Sequence, residues 1–445
     1  MKLTTSFPFL LLVLLLSSCS VKRKLVKSAN QSIFSDSALA KAHIGISVYD
    51  ASANKYLYQH NASNYFVPAS NIKIVSCYAA MKYLGDSVPG IQYVQQNNGV
   101  LLLPTGDPTL LHPDYIHQPV IQFLQKVQGP IAINNESWKT DALGAGWSWG
   151  DYNFVYSTER SALPVYGNVI KWIQETTISE DTLQPNSPST FSIPEVEWKV
   201  RFNGDVQQKS FYVQRSQAEN VFTITEGAEK RAEQSVPFVT NGIQSALELL
   251  KDTVAKTISI TDRKPSSGQT INTIYSVKLD SVLKPMMHRS DNFFAEQLLL
   301  MVANKRFGVF SEDKIIDTLL SNELKDLPQQ PSWADGSGLS RYNLFSPDDF
   351  VMLLNKMQGE FGLERLKVIF PTGGEGTIAN YYKNDSGFVY AKTGSLGGVV
   401  ALSGFMISKK GKLLLFSALI NNYRGSSTAA RRKVEQFISQ VRQQF

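Results

Sequence analysis

The sequence predicts an α+β fold: an antiparallel sheet flanked by helices and split by a large β-rich insertion. Three observations predict it. An alternating hairpin near the start runs directly into an apolar helix. Three strand-like runs and a last helix close the chain. Between these two parts lies a long stretch of short strands and polar loops. With 445 residues, 43% of them hydrophobic, the chain can build more than one domain.

Residues 1–18 read as an export signal. Lys2 precedes an apolar run from Phe7 to Leu16, too short to span a bilayer. The run ends in Leu16-Ser17-Ser18-Cys19, which resembles a bacterial lipobox and marks Cys19 for lipidation; a plain secretory cleavage nearby is the alternative. A lipid there anchors the chain to a membrane without spanning it. Residues 19–40 read as a tether. Lys22, Arg23, Lys24, Lys27 and Lys41 against Asp36 make this region basic, as suits an anionic membrane surface. That run and Lys2 carry most of the net charge of +6. The body is near neutral, which leaves nucleic-acid binding without electrostatic support. Cys77 is the only other cysteine, so a disulfide framework is excluded in the mature chain.

The sheet domain is expected over 41–85 and 272–445. His43 to Tyr49 alternates, Asp50 to Asn54 turns, and Tyr56-Leu57-Tyr58 completes a hairpin. Pro68-Ala69-Ser70-Asn71 then reads as a helix start, and Ile72 to Met81 is apolar on almost every face. Residues 86–271 form the expected insertion, read as two subdomains. Ile91 to Leu103, Pro130 to Asn134, Glu195 to Phe202, Gln208 to Val213 and Val221 to Thr225 are its strands. Asn241 to Ala255 is its helix. A helical pattern returns at Ser281 to Met287, followed by Ser290-Asp291-Asn292 as an inter-helix loop and an amphipathic helix from Phe293 to Ala303. Asp335-Gly336-Ser337-Gly338-Leu339-Ser340-Arg341 is a turn. Asp335 and Leu339 occupy the glycine positions of a Gly-x-Ser-x-Gly motif, which rules out a nucleophile elbow at Ser337. Strands follow at Phe388 to Ser395, Val399 to Ile407 and Leu413 to Asn421, and a helix from Ser427 to Arg442 ends the chain.

Ser70 and Lys73 fall on one side of the first helical turn. A serine hydroxyl becomes a useful nucleophile only beside a base, and an amine serves once its pKa is lowered. Free lysine titrates at about 10.4. Burial beside a second cation brings it to about 7–8, where a useful fraction is neutral. Ser-x-x-Lys alone carries little information. Ser-Asp-Asn at 290–292 and Lys392-Thr393-Gly394 on a strand follow it in order, and each sits on a different kind of element. Together they match the motif set of penicillin-binding proteins and serine β-lactamases.

Pro68-Ala69-Ser70, the long gap to Ser290 and Asp335-Gly336-Ser337-Gly338-Leu339-Ser340-Arg341-Tyr342-Asn343-Leu344 narrow the resemblance. So do Gly106-Asp107-Pro108-Thr109-Leu110 and Gly146-Trp147-Ser148-Trp149. From about residue 40 onward the chain resembles the D-alanyl-D-alanine carboxypeptidase/endopeptidase family of penicillin-binding protein 4 type, peptidase family S13. The resemblance implies a transpeptidase-like domain that cleaves peptidoglycan stem peptides, with β-lactam antibiotics as inhibitors. It implies Ser70 as the acylated nucleophile, Lys73 as its base and Ser290 as a proton relay with Lys73 and Lys392. Asn292 is implied at the substrate amide. Lys392 and Thr393 are implied at the terminal carboxylate, with Gly394 and Ser395 beside them, and the N–H groups of Ser70 and Ser395 in the oxyanion hole. Asp151, Tyr156 and Arg341 match a pocket for the side chain of a diamino acid, the acid suiting an ammonium and the arginine a carboxylate. Gly397 and Asn71 depart from the usual residues at their positions. The departure at Asn71 carries no expected consequence for mechanism.

No cofactor or metal is implied, and the five histidines offer no paired ligand spacing. The implied location is the cell envelope, on the periplasmic side, held by the lipid. Two other classes stand beside this one. A serine β-lactamase is the nearest alternative; class A members use an extra glutamate in a Glu-x-x-Leu-Asn type loop, no such sequence lies between Asn292 and Lys392, and the large insertion also argues against it. A non-catalytic peptidoglycan-binding lipoprotein predicts loss of Ser70, Lys73 or Lys392, and all three are present.

Overall fold

The computed structural model describes residues 23–177, 187–204 and 210–445. Cys19 and the expected signal lie outside them. The chain forms two compact units. One holds the described residues through Tyr78 together with Lys284–Ser290 and Asp317–Phe445; the other holds Ala79–Leu283 and Asp291–Ile316.

In the first unit five strands form an antiparallel sheet in the order Val389–Leu396, Val399–Ile407, Leu413–Asn421, His43–Asp50, Lys55–His60. Alternation decides its faces. Ile44, Ile46 and Val48 join Leu402, Phe416 and Ala418, with Val434 and Phe437 from the closing helix Ser427–Gln444, in one core. On the opposite face Ser47 Oγ donates to Asp348 Oδ1 at 2.6 Å. A Cβ on Gly45 would lie 2.5 Å from the Phe66 ring and 2.8 Å from Pro347. Glycine there lets Phe66 and the helix Pro347–Phe361 close on the sheet. That helix starts with a capping box between Ser346 and Asp349.

Residues 23–29 are helical and run into a π-helical turn at Asn30–Phe34. Leu25, Ala29 and Ile33 are fully buried in the same core, while Arg23, Lys24 and Lys27 are exposed. From residue 23 the expected tether is a packed amphipathic element, because its apolar residues recur at i, i+4 and i+8.

The second unit carries a mixed five-stranded sheet in the order Ile258–Thr261, Ile131–Asn134, Gly99–Pro104, Ser87–Gln96, Asn272–Lys278. Gly99–Pro104 and Ile131–Asn134 run parallel, joined through the helix Pro119–Lys126. Two three-stranded sheets complete the unit: Lys199–Asn203, Val221–Thr225, Tyr212–Arg215 and Arg231–Pro237, Val169–Thr177, Ser187–Ile193. The expected strand Glu195 to Phe202 is confined to Lys199–Asn203. The helix Asn292–Phe307 is buried continuously from Phe293 to Ala303 rather than amphipathic. Its polar members find internal partners. Glu296 accepts from Arg160 Nη1 at 3.1 Å, and Gln297 Nε2 donates to the Gly106 and Ser161 carbonyls.

Candidate active site

Ser70 lies in the 3₁₀ turn Ala69–Asn71, which leads into the helix Ile72–Tyr83. Lys73 follows one turn later and donates its Nζ to Ser70 Oγ at 3.0 Å. The same Nζ donates to the Ser337 carbonyl at 2.8 Å, and Lys73 is fully buried. A second tie fixes this helix to the same loop, since Ser76 Oγ donates to the Gly336 carbonyl at 2.5 Å.

The loop from Asp335 to Asn343 therefore has a purpose at Lys73 that the failed elbow motif does not suggest. Asp335 is fully buried. Its carboxylate accepts from Gly338 N at 2.7 Å, Ser340 N at 2.6 Å and Asn343 Nδ2 at 2.8 Å. These bonds coil the loop so that its carbonyls face the helix. Gly338 has φ +82°, and a Cβ on it would lie 1.9 Å from the Ala69 carbonyl oxygen. Only glycine permits that approach.

Lys392 projects from the edge strand Val389–Leu396, fully buried. It donates to Ser290 Oγ at 2.8 Å and to the Thr393 carbonyl at 2.7 Å. Ser290 follows the helix Asp280–His288 in the left-handed region, with φ +62°. Gly394 brings the strand against the nucleophile turn, since a Cβ there would stand 2.6 Å from the Pro68 carbonyl oxygen. Asn71 joins turn and sheet. With its amide oriented to satisfy both ends, it donates to the Lys392 carbonyl at 2.9 Å and accepts from Ser403 N at 3.2 Å. Its departure from the usual residue thus carries a structural bond.

The first unit thus brings together Ser70, Lys73, Ser290, Lys392, Thr393, Gly394 and Ser395. Burial, then the charges of Lys73 and Arg431, holds the Lys392 ammonium well below the ordinary lysine range. Arg341 is in this unit too, with Nη2 on the Gly397 carbonyl at 2.7 Å. Arg431, from the closing helix, donates to Ser395 Oγ. Sequence reasoning does not find Arg431, because it belongs to no motif and lies 36 residues from its partner.

Asp151, Tyr156 and Asn292 belong to the second unit. Asn292 is the first residue of its helix rather than part of a loop, and Asp291 is the N-cap, accepting from Phe294 N at 3.0 Å. Asn292 Nδ2 donates to the Tyr156 carbonyl at 2.8 Å. The Tyr156 hydroxyl bonds Asp151, and its ring stacks on Phe154 at 5.4 Å.

Known proteins share this architecture. The chain is 25% identical to a D-alanyl-D-alanine carboxypeptidase of Actinomadura sp. strain R39 over 89% of this chain and 81% of that one. It is 24% identical to the D-alanyl-D-alanine carboxypeptidase DacB of Haemophilus influenzae over 88% of each. The crystal structure of penicillin binding protein 4 from Haemophilus influenzae superposes with a TM-score of 0.70 at 20% identity, covering 93% of this chain and 97% of that one. A predatory peptidoglycan endopeptidase of Bdellovibrio bacteriovorus gives a TM-score of 0.52 at 14% identity, over 91% and 93%. These likenesses establish the fold, and the expected α+β penicillin-binding-protein class is borne out. The model of the D-Ala-D-Ala carboxypeptidase 3 (S13) family matches residues 26–444. The chain belongs to that family and is a serine-type peptidase, a hydrolase.

Proposed function

We propose that this protein is a penicillin-sensitive D-Ala-D-Ala carboxypeptidase/endopeptidase that cuts peptidoglycan stem peptides through an acyl-enzyme on Ser70. The observation that carries the reading is the pair of lysine–serine bonds within one unit: Lys73 on Ser70 and Lys392 on Ser290.

The chemistry follows from those bonds. Lys73, as the neutral amine, takes the Ser70 proton while Oγ attacks the carbonyl carbon of the penultimate D-alanine. The N–H groups of Ser70 and Ser395 receive the developing oxyanion. The proton passes through Ser290 to the leaving nitrogen, the C–N bond breaks, and free D-alanine departs. Water then attacks the ester and restores Ser70. Lys392 and Thr393 receive the terminal carboxylate, and Asn292 the substrate amide. By the family resemblance, Asp151 and Tyr156 are assigned to the ammonium of the diamino-acid side chain and Arg341 to its carboxylate. β-Lactams acylate the same serine. A relative of this fold, the Haemophilus influenzae penicillin binding protein 4, has been crystallised with a β-lactam. We place the enzyme in the periplasm, anchored by a lipid on Cys19, with no nucleic-acid partner.

The test is mass spectrometry of the purified protein after labelled penicillin, beside Ser70→Ala. A slowly released adduct on Ser70 is expected, with none on the variant. Rapid destruction of the drug means a β-lactamase. No adduct and no cleavage of a D-Ala-D-Ala peptide means a binding lipoprotein.

A further inference from the structure

We propose that Arg431, on the closing helix, supplies the permanent positive charge of the subsite for the substrate's terminal carboxylate, acting with Thr393 and Ser395. The inference rests on the peptidase reading above. Thr393 and Ser395 are two apart on one strand, so their side chains share a face of the sheet edge. The Arg431 guanidinium reaches that face and donates through Nη2 to Ser395 Oγ. Thr393 and Arg431 also line one recess, whose other walls include Val400, Leu402 and Val434.

Lys392 cannot fill this place alone. Two of its three donors are taken by Ser290 Oγ and the Thr393 carbonyl. Burial and its cationic neighbours also disfavour its charged form. Those observations fit a lysine used for proton relay better than one used as a fixed counter-ion. An arginine keeps its charge throughout the working range, and its planar fork matches a carboxylate with two parallel bonds. Apolar walls strengthen such a bond by excluding water. With Nη2 on Ser395 Oγ and Thr393 lining the same recess, an anion at this edge of the strand would meet all three groups.

The test compares a stem-peptide analogue ending in D-Ala-D-Ala with the same peptide carrying a C-terminal carboxamide, using the wild type, Arg431→Gln and Arg431→Lys. The wild type should prefer the acid. Arg431→Gln should lose about 10–100-fold in kcat/KM on the acid, the loss of a charge-assisted bond. On the amide it should change by less than about threefold. Arg431→Lys, keeping the charge without the fork, should fall between. Equal losses on both peptides would mean a structural role and overturn the proposal, as would unchanged discrimination in both variants. A wild type that cleaves neither peptide overturns the peptidase reading, and this inference with it.

Discussion

Lys392 Nζ stands 2.8 Å from Ser290 Oγ, and that bond joins the edge strand of the sheet to a residue two past the end of the helix Asp280–His288. The lysine is fully buried and near a second buried lysine, Lys73. Such an arrangement serves chemistry at the expense of stability.

Lys392→Met should therefore abolish acylation and stabilise the fold. The sign follows from linkage. The folded-state pKa is below the ordinary lysine value, so between the two the unfolded chain binds the extra proton and stability rises with pH. Wild-type stability should climb with pH from the depressed folded-state pKa toward about pH 10, and the methionine variant should lack that climb. At neutral pH it should be more stable than the wild type. Urea unfolding across the pH range checks both. A variant less stable than the wild type at neutral pH would refute the account.

Ser290 adopts φ +62°, a conformation that costs a non-glycine residue about 1 kcal/mol. Ser290→Gly should then be more stable than Ser290→Ala by about that amount. Both should lose most activity, since both lack the hydroxyl held by Lys392. Paired denaturation curves with penicillin acylation rates test this. Equal stabilities would show that the strain is absent.

Much of the fold is legible in the sequence because its strands are short apolar runs bounded by turns, one of them alternating. His43–Asp50, Val399–Ile407 and Leu413–Asn421 follow from local pattern alone. Their order does not, since the first strand pairs with the last, Ile44 opposite Ile420. The same limit applies to the site. The serine–lysine motifs are local and readable. Arg431, the Asp335 loop at Lys73 and Asn71 on Lys392 act through partners far along the chain. The buried helix carrying Glu296 looks amphipathic for the same reason, because its counter-ion Arg160 lies 136 residues away. The expected tether hid a stripe of Leu25, Ala29 and Ile33 behind its basic residues.

Two glycine substitutions separate backbone strain from the packing that shapes the site. Gly338 and Gly374 both have positive φ, +82° and +87°. Around Gly374 there is open space, whereas a Cβ on Gly338 would meet the Ala69 carbonyl oxygen at 1.9 Å. Gly374→Ala should cost about 1 kcal/mol and leave penicillin acylation unchanged. Gly338→Ala should cost about 3 kcal/mol or more, because the loop must retreat from the nucleophile turn. It should also slow acylation at least about tenfold by displacing the Ser337 carbonyl from Lys73. If both variants acylate at the wild-type rate, the loop does not position Lys73.

The helical segment beginning at residue 23 tests how far the catalytic unit extends. Leu25 and Ile33 are fully buried with Val434 and Phe437 of the closing helix, the helix that also carries Arg431. Leu25→Ala should lower unfolding stability by about 2–4 kcal/mol, the range for a leucine removed from a packed core. Lys24→Ala, on the exposed face, should change it by less than about 0.5 kcal/mol. A chain begun at residue 41 removes the whole element. It should unfold at markedly lower urea and lose acylation on warming sooner than the longer chain, since the closing helix then presents an apolar stripe to water. If the shortened chain matches the longer one in midpoint and acylation rate, residues 23–40 contribute nothing to the catalytic unit and the tether reading stands for all of them.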